Sequence, residues 1–196
     1  MNPGELKERI AVLTLEGEDN TYSWGITGNT CAKVEHLKGA NIFSSIGLSA
    51  KSIKFTIRRR PLTLHNAFRW DGRHCFLTEI VDVNHKYYEV TAALVEPLVC
   101  IVERQAPPTL DDLNRPVYSP PVEITFPACL TEKYLERKQE EPMAVSEIRY
   151  VLVTPKAVDL ISGEIVLVGE QAYTVETLHI LDPYKNEFEI SLRRDS

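Results

Sequence analysis

Phe68-Arg-Trp-Asp-Gly-Arg-His-Cys-Phe-Leu-Thr-Glu-Ile-Val-Asp-Val-Asn-His-Lys-Tyr-Tyr-Glu-Val-Thr-Ala-Ala-Leu-Val95 reads as three short strands folded by two turns. Asp71-Gly72 is a hairpin corner, because residues that tolerate positive φ match the twist of the flanking strands. Asn84-His85-Lys86 is the second turn. The runs around them are β-branched and aromatic, and the last alternates Tyr88, Val90, Ala92 and Leu94 on one face. A period of two is that of a half-buried strand.

A second copy of the pattern lies near the C-terminus. Val166-Leu-Val-Gly-Glu170 stands where Arg69 to Arg73 stand, with Gly169 against Gly72. On this alignment Tyr173 matches Phe76, Glu176 matches Glu79, and Leu178 and Ile180 match Val81 and Val83. Asp182-Pro-Tyr-Lys-Asn186 replaces the Asn84 turn with about three extra residues, and Phe188, Ile190 and Leu192 repeat Tyr88, Val90 and Ala92. Two β domains with common strand grammar, or a duplication, both produce such a pattern.

Working outward, Ser52 to Arg58 alternates as a strand closed by Arg59-Arg60-Pro61, and Ile148 to Pro155 echoes it. That extends the correspondence upstream and favours duplication. Asn2-Pro3-Gly4-Glu5 has the signals of a helix start, with Leu6 and Ile10 on the buried side of one or two turns. Ile10 to Leu15 and Cys31 to Leu37 read as strands, with a polar turn at Gly17 to Asn20. Residues 38–51 fit neither template: glycines and serines punctuate Ile42, Phe43, Ile46 and Leu48. A short helix in a long connection and a projecting loop are both open, and a long loop is a candidate site. Leu98 to Val102 is expected to finish the first domain. The prolines of 105–127 suggest a stiff linker or an edge-hugging arm, and Ala128 to Ser146 a strand with a loop or short helix.

The chain of 196 residues carries a net charge of −6, unevenly spread. Residues 1–104 hold 13 Lys/Arg against 12 Asp/Glu, while 105–196 hold 9 against 16. An acidic half is a poor general binder of phosphate backbones. No apolar run has the length of a membrane span, no signal-peptide core opens the chain, and no membrane partner is expected. Cys31, Cys75, Cys100 and Cys129 lie far apart and read as buried, reduced residues, a disulfide being the alternative.

No catalytic constellation emerges. The five histidines have no metal-site spacing, no Gly-rich phosphate loop exists, and neither metal nor cofactor is expected. His74 and Cys75 are strand neighbours, whose side chains point to opposite faces. Arg58-Arg59-Arg60, helped by Lys54, Arg69 and Arg73, is the cluster able to hold phosphate; its other reading is a solvated strand end or subunit salt bridges. Phe55 lies on the face opposite Lys54, which weakens a base-stacking platform.

Four segments carry a family resemblance: Gly4-Glu-Leu-Lys-Glu-Arg-Ile10, Cys31-Ala-Lys-Val-Glu-His-Leu-Lys-Gly39, Ile53-Lys-Phe-Thr-Ile-Arg58, and Trp70-Asp-Gly-Arg73 with the strand after it. In this order they cover residues 1–95, which resemble the head–tail joining (head-completion or stopper) proteins of tailed bacteriophages. Family members often have Trp where Cys31 stands and are about half as long. Taken with the duplication, the resemblance implies a mainly β chain of two tandem small antiparallel β-barrels, preceded by the short N-terminal helix that the Asn2-Pro3 signals predict. Domain 1–104 is then joined by a linker over 105–127 to a diverged second barrel over 128–196. It implies a non-enzymatic virion protein of the head–tail neck, assembled in the host cytoplasm as a ring of six or twelve identical subunits. Portal or adaptor proteins would lie above, tail proteins below, and double-stranded DNA in the channel. Lys38, Ile42, Phe43, Ile46, Leu48 and Lys51 would form the channel loop or interface, and Lys54, Arg58, Arg59 and Arg60 would meet phosphate or neighbouring subunits. A tail-terminator or tail-completion protein, and a barrel binding single-stranded nucleic acid, are the alternatives.

Overall fold

The computed structural model describes residues 3–37, 47–48, 51–133 and 149–193. Strands follow in the order β1 (Glu8–Glu18), β2 (Thr21–Leu37), β3 (Gly47–Leu48), β4 (Lys51–Arg58), β5 (Asn66–Trp70), β6 (Arg73–Val83), β7 (Tyr87–Val95) and β8 (Leu98–Arg104). Then come β9 (Thr109–Leu110), β10 (Pro116–Val117), β11 (Val122–Lys133), β12 (Arg149–Pro155), β13 (Ile165–Val168), β14 (Gln171–His179) and β15 (Lys185–Leu192). The molecule is mainly β, as the alternation requires. The N-terminal helix is not what forms: Pro3–Glu5 makes a single 3-10 turn, and Ile10 is fully buried within β1. The chain is already extended at Glu8, where β1 pairs with Ala32 of β2, and Asn2 lies outside the described residues.

A closed six-stranded antiparallel barrel runs β1-β5-β6-β7-β4-β2, with β2 returning to β1. Closure leaves this set of strands no free edge. Alternate side chains fill the interior: Ile10 and Val12, then Ile53, Phe55 and Ile57, then Phe68, Leu77, Val90 and Ala92. Phe55 meets Phe68 edge-to-face, with centroids 5.4 Å apart. Asp71 (φ 51°) and Gly72 (φ 73°) both adopt the left-handed backbone of a type I′ turn, and Asn84 (φ 54°) and His85 (φ 55°) make the second corner. β2 starts ten residues before the alternation that reveals it, because β1 holds Thr21 to Thr30 by pairing rather than by a buried face. A register shift at Val12/Leu13 leaves Thr27 unpaired, its hydroxyl donating to the Val12 carbonyl at 3.3 Å.

The remaining long strands pair among themselves. β8 pairs with β11 and β13, β11 with β12, β12 with β15, β15 with β14, and β14 with β13, all antiparallel. They enclose a second cluster built on Phe126, Leu152, Leu160, Val166, Phe188 and Ile190. Composition assigned Leu98 to Arg104 to the first domain and 105–127 to a linker. The pairing differs: partners change at Glu96-Pro97, β8 belongs with the C-terminal strands, and 122–127 lies within β11. Pro127 is tolerated there because β11 exchanges its partner β8 for β12 beside it.

The pairing also corrects the internal alignment. Gly169 (φ 62°) and Glu170 form the corner that Asp71 and Gly72 form in the barrel, so Gly169 answers to Asp71. Tyr173 then takes the place of Cys75 rather than Phe76, and Val175 that of Leu77. The bulged Glu176 answers to Thr78, and Phe188 and Ile190 answer to Val90 and Ala92. The Asp182 turn is no longer than the Asn84 turn. A one-residue slip matters because it sends every side chain to the other face.

Several contacts join the two groups of strands. Phe76 and Ala93, on the outer face of β6 and β7, pack with Cys129, Val151 and Val153 on the outer face of β11 and β12, beside Trp24. The tip of the β1–β2 hairpin also reaches across, where the Thr125 amide donates to the Asn20 carbonyl at 2.9 Å. Tyr22 there packs against the C-terminal cluster.

Candidate assembly surface

Lys38, Ile42, Phe43 and Ile46 lie outside the described residues. Leu48 is described in its backbone alone, which pairs with Glu132 in β11. Lys51 is exposed at the start of β4. The basic group of β4 and the segment after it is committed within the chain. Lys54 pairs with Glu89 at 2.5 Å. Arg59 donates to the Tyr88 hydroxyl at 3.2 Å, lies 5.9 Å from that ring's centre and sits 3.6 Å from Asp82. Arg60 donates to the Asn29 carbonyl at 3.2 Å. Arg58 faces a shallow groove of about 360 Å³ with Leu6, Thr30 and Cys31. Lys54, Arg59 and Arg60 are thus each engaged by a different part of the chain.

A concavity of about 620 Å³ on the outer face of the barrel is lined mainly by polar side chains. Lys33 bridges Glu35 at 2.8 Å there and Glu5 at 3.9 Å. A smaller cleft of about 200 Å³ opens between the two groups of strands, where His65 meets Tyr184 edge-on at 5.0 Å.

No cluster of three or more metal-ligating side chains occurs among the described residues. Burial pushes the thiols of Cys75, Cys100 and Cys129 up to about 12, far from nucleophilic use. Cys31, expected to be buried, is exposed, and all four cysteines are free. His74 and Cys75 do part to opposite faces: Cys75 enters the barrel core while His74 packs against Trp24, the rings tilted with centroids 5.1 Å apart. Trp70 packs toward Phe55 and donates to Glu8 at 3.4 Å.

Comparison of the chain with family models, curated proteins and solved structures returns no match. The surface itself supplies the remaining guidance. On the outer face of the C-terminal strands, Val99 (65% exposed), Ile101, Leu167 and Ile165 form an apolar stripe, with Ile101 directly opposite Leu167. Between β8 and β11 the chain leaves the body as the β9–β10 hairpin, which exposes Leu110, Leu113, Val117 and Tyr118. Neither feature was singled out from the sequence. The signal was there: Leu98 to Val102 and Ile165 to Val168 are unbroken apolar runs, so both strand faces are apolar although only one meets the core.

Proposed function

We propose that the chain is a virion structural subunit of a tailed-bacteriophage head–tail interface, a connector or stopper without catalytic chemistry. In this reading it is built of two tandem barrels that arose by duplication. One observation carries it. The order of partners β1-β5-β6-β7-β4-β2 recurs strand for strand as β8-β13-β14-β15-β12-β11, in a chain whose first half resembles the joining family. Two like units per subunit suit a ring that adapts a twelvefold connector to a sixfold tail, since six subunits offer twelve barrel positions. Self-association would also cover the outward apolar strands, whose Val99, Ile165 and Leu167 are exposed in the single chain. A single-strand-binding role has weaker support, because Lys54 and Arg59 are already engaged by Glu89 and Asp82.

Electron microscopy of intact particles with a labelled subunit tests the reading. Label at the collar, in six copies, is the expected result. Absence of the protein from particles overturns the role, and twelve copies in the ring overturn the symmetry argument.

A further inference from the structure

The hairpin of residues 105–121 is an arm built to hold its shape away from the body. Among the described residues its two strands pair only with each other. Its tip is organised by Asp111, whose carboxylate accepts from the Leu113 amide at 2.9 Å and the Arg115 amide at 2.8 Å, and pairs with the Arg115 guanidinium at 2.9 Å. These bonds, the Arg115 amide foremost, hold the Asp111 carboxyl below its usual range. At the base, Gln105 donates to the Ser119 carbonyl at 2.5 Å. Both legs carry a proline pair, Pro107-Pro108 outgoing and Pro120-Pro121 returning. Consecutive prolines restrict φ and extend the chain, which opposes folding the arm back onto its own surface.

Leu110, Leu113, Val117 and Tyr118 are 65, 70, 49 and 66% exposed on this arm. A lone two-stranded hairpin gains little from such side chains in water. The body that bears the arm carries a matching unfilled feature, the stripe of Val99, Ile101, Ile165 and Leu167. We propose that the arm of one copy docks on the β8–β13 stripe of a second copy. The contact joins two different surfaces, so it repeats around a ring or is exchanged reciprocally, and each subunit gives one arm and receives another. This deepens the ring reading above and rests on it for the setting, while the arm–stripe contact is testable on the isolated chain.

The test compares three full-length chains by sedimentation velocity: the natural sequence, an arm variant (L110S, L113S, Y118S) and a stripe variant (V99D, L167D). Every substituted residue is exposed, so circular dichroism melts should coincide with that of the parent. The parent should self-associate, and each variant alone should do so at least tenfold more weakly. Mixing the variants should restore a one-to-one dimer, since one partner retains an intact arm and the other an intact stripe. A monomeric parent at tens of micromolar, a variant of parental size, or a mixture that stays monomeric each overturns the proposal. None of these outcomes bears on particle location, which decides the head–tail role.

Discussion

His74 shows how one residue ties pH to the fold. Its ring is buried against Trp24, its Nε2 has no hydrogen-bond partner among the described residues, and Arg69 lies nearby. Burial first, and the Arg69 charge second, push its pKa down to about 4. The folded value lies below that of the unfolded chain, so between about pH 6.5 and 4 the unfolded state binds the extra proton. Stability is therefore full above this window and falls as pH drops through it, by about 3 kcal/mol. Thermal melts at pH 7.5 and 4.5 should show this loss, and His74→Phe should remove most of it. A second residue-scale prediction concerns Glu164. Its carboxylate accepts from Arg104 at 2.5 Å and from the Ile161 amide at 2.8 Å, and Arg104 also reaches the Asp159 carbonyl. Glu164 is nearly buried while Arg104 is 37% exposed, so solvent tempers the pair. Glu164→Ala should cost about 2 kcal/mol in urea denaturation.

At the scale of elements, hairpin corners and the layer between the two groups of strands matter most. Gly72 has open space where a Cβ would stand, so Gly72→Ala tests backbone strain alone. It should cost about 1–2 kcal/mol, the penalty of the left-handed region for a residue with a Cβ, measured by chemical denaturation. The cost should be similar at Gly169, which also has open space. Phe76 points away from the barrel interior and is 6% exposed because β11 and β12 cover it. Phe76→Ala should cost about 3–4 kcal/mol, the scale of a buried aromatic truncation. It should also shift Trp24 emission, since Trp24 closes the same layer.

For the whole molecule, equivalent positions differ according to what faces them. By pairing, Lys33, Lys54 and Thr56 in the barrel answer to Cys129, Val151 and Val153 in the C-terminal strands. The first three face solvent or groove, and the second three meet Phe76 and Ala93. At these three positions the side chains are apolar where another part of the chain packs and polar where none does. That makes the layer a coupling between the two groups. Val151→Asp would place an unpaired charge there, and denaturation should separate into two transitions where the parent shows one. Coincident fluorescence and circular dichroism curves in that variant would contradict the coupling.

Local chemistry determined a great deal by itself. Asp71-Gly72, Asn84-His85 and the alternation from Tyr88 to Leu94 specify a mainly β chain of hairpins, because turn geometry and strand period are properties of neighbouring residues. The repetition of that pattern was visible too. Its register was not, since Gly169 suits either central position of a tight turn and only the strand pairs choose between them. The start of β2 and the partner of β8 were equally hidden. Thr21 to Thr30 is held by β1 and carries no clean face of its own, and the prolines after Arg104 resemble a domain linker until β11 returns to pair with β8. The outward apolar positions Phe76, Val99 and Leu167 read alike in the sequence. Tertiary structure alone decided that Phe76 meets Val151 and Val153 while Val99 and Leu167 remain open, because burial depends on what the rest of the chain places opposite a residue.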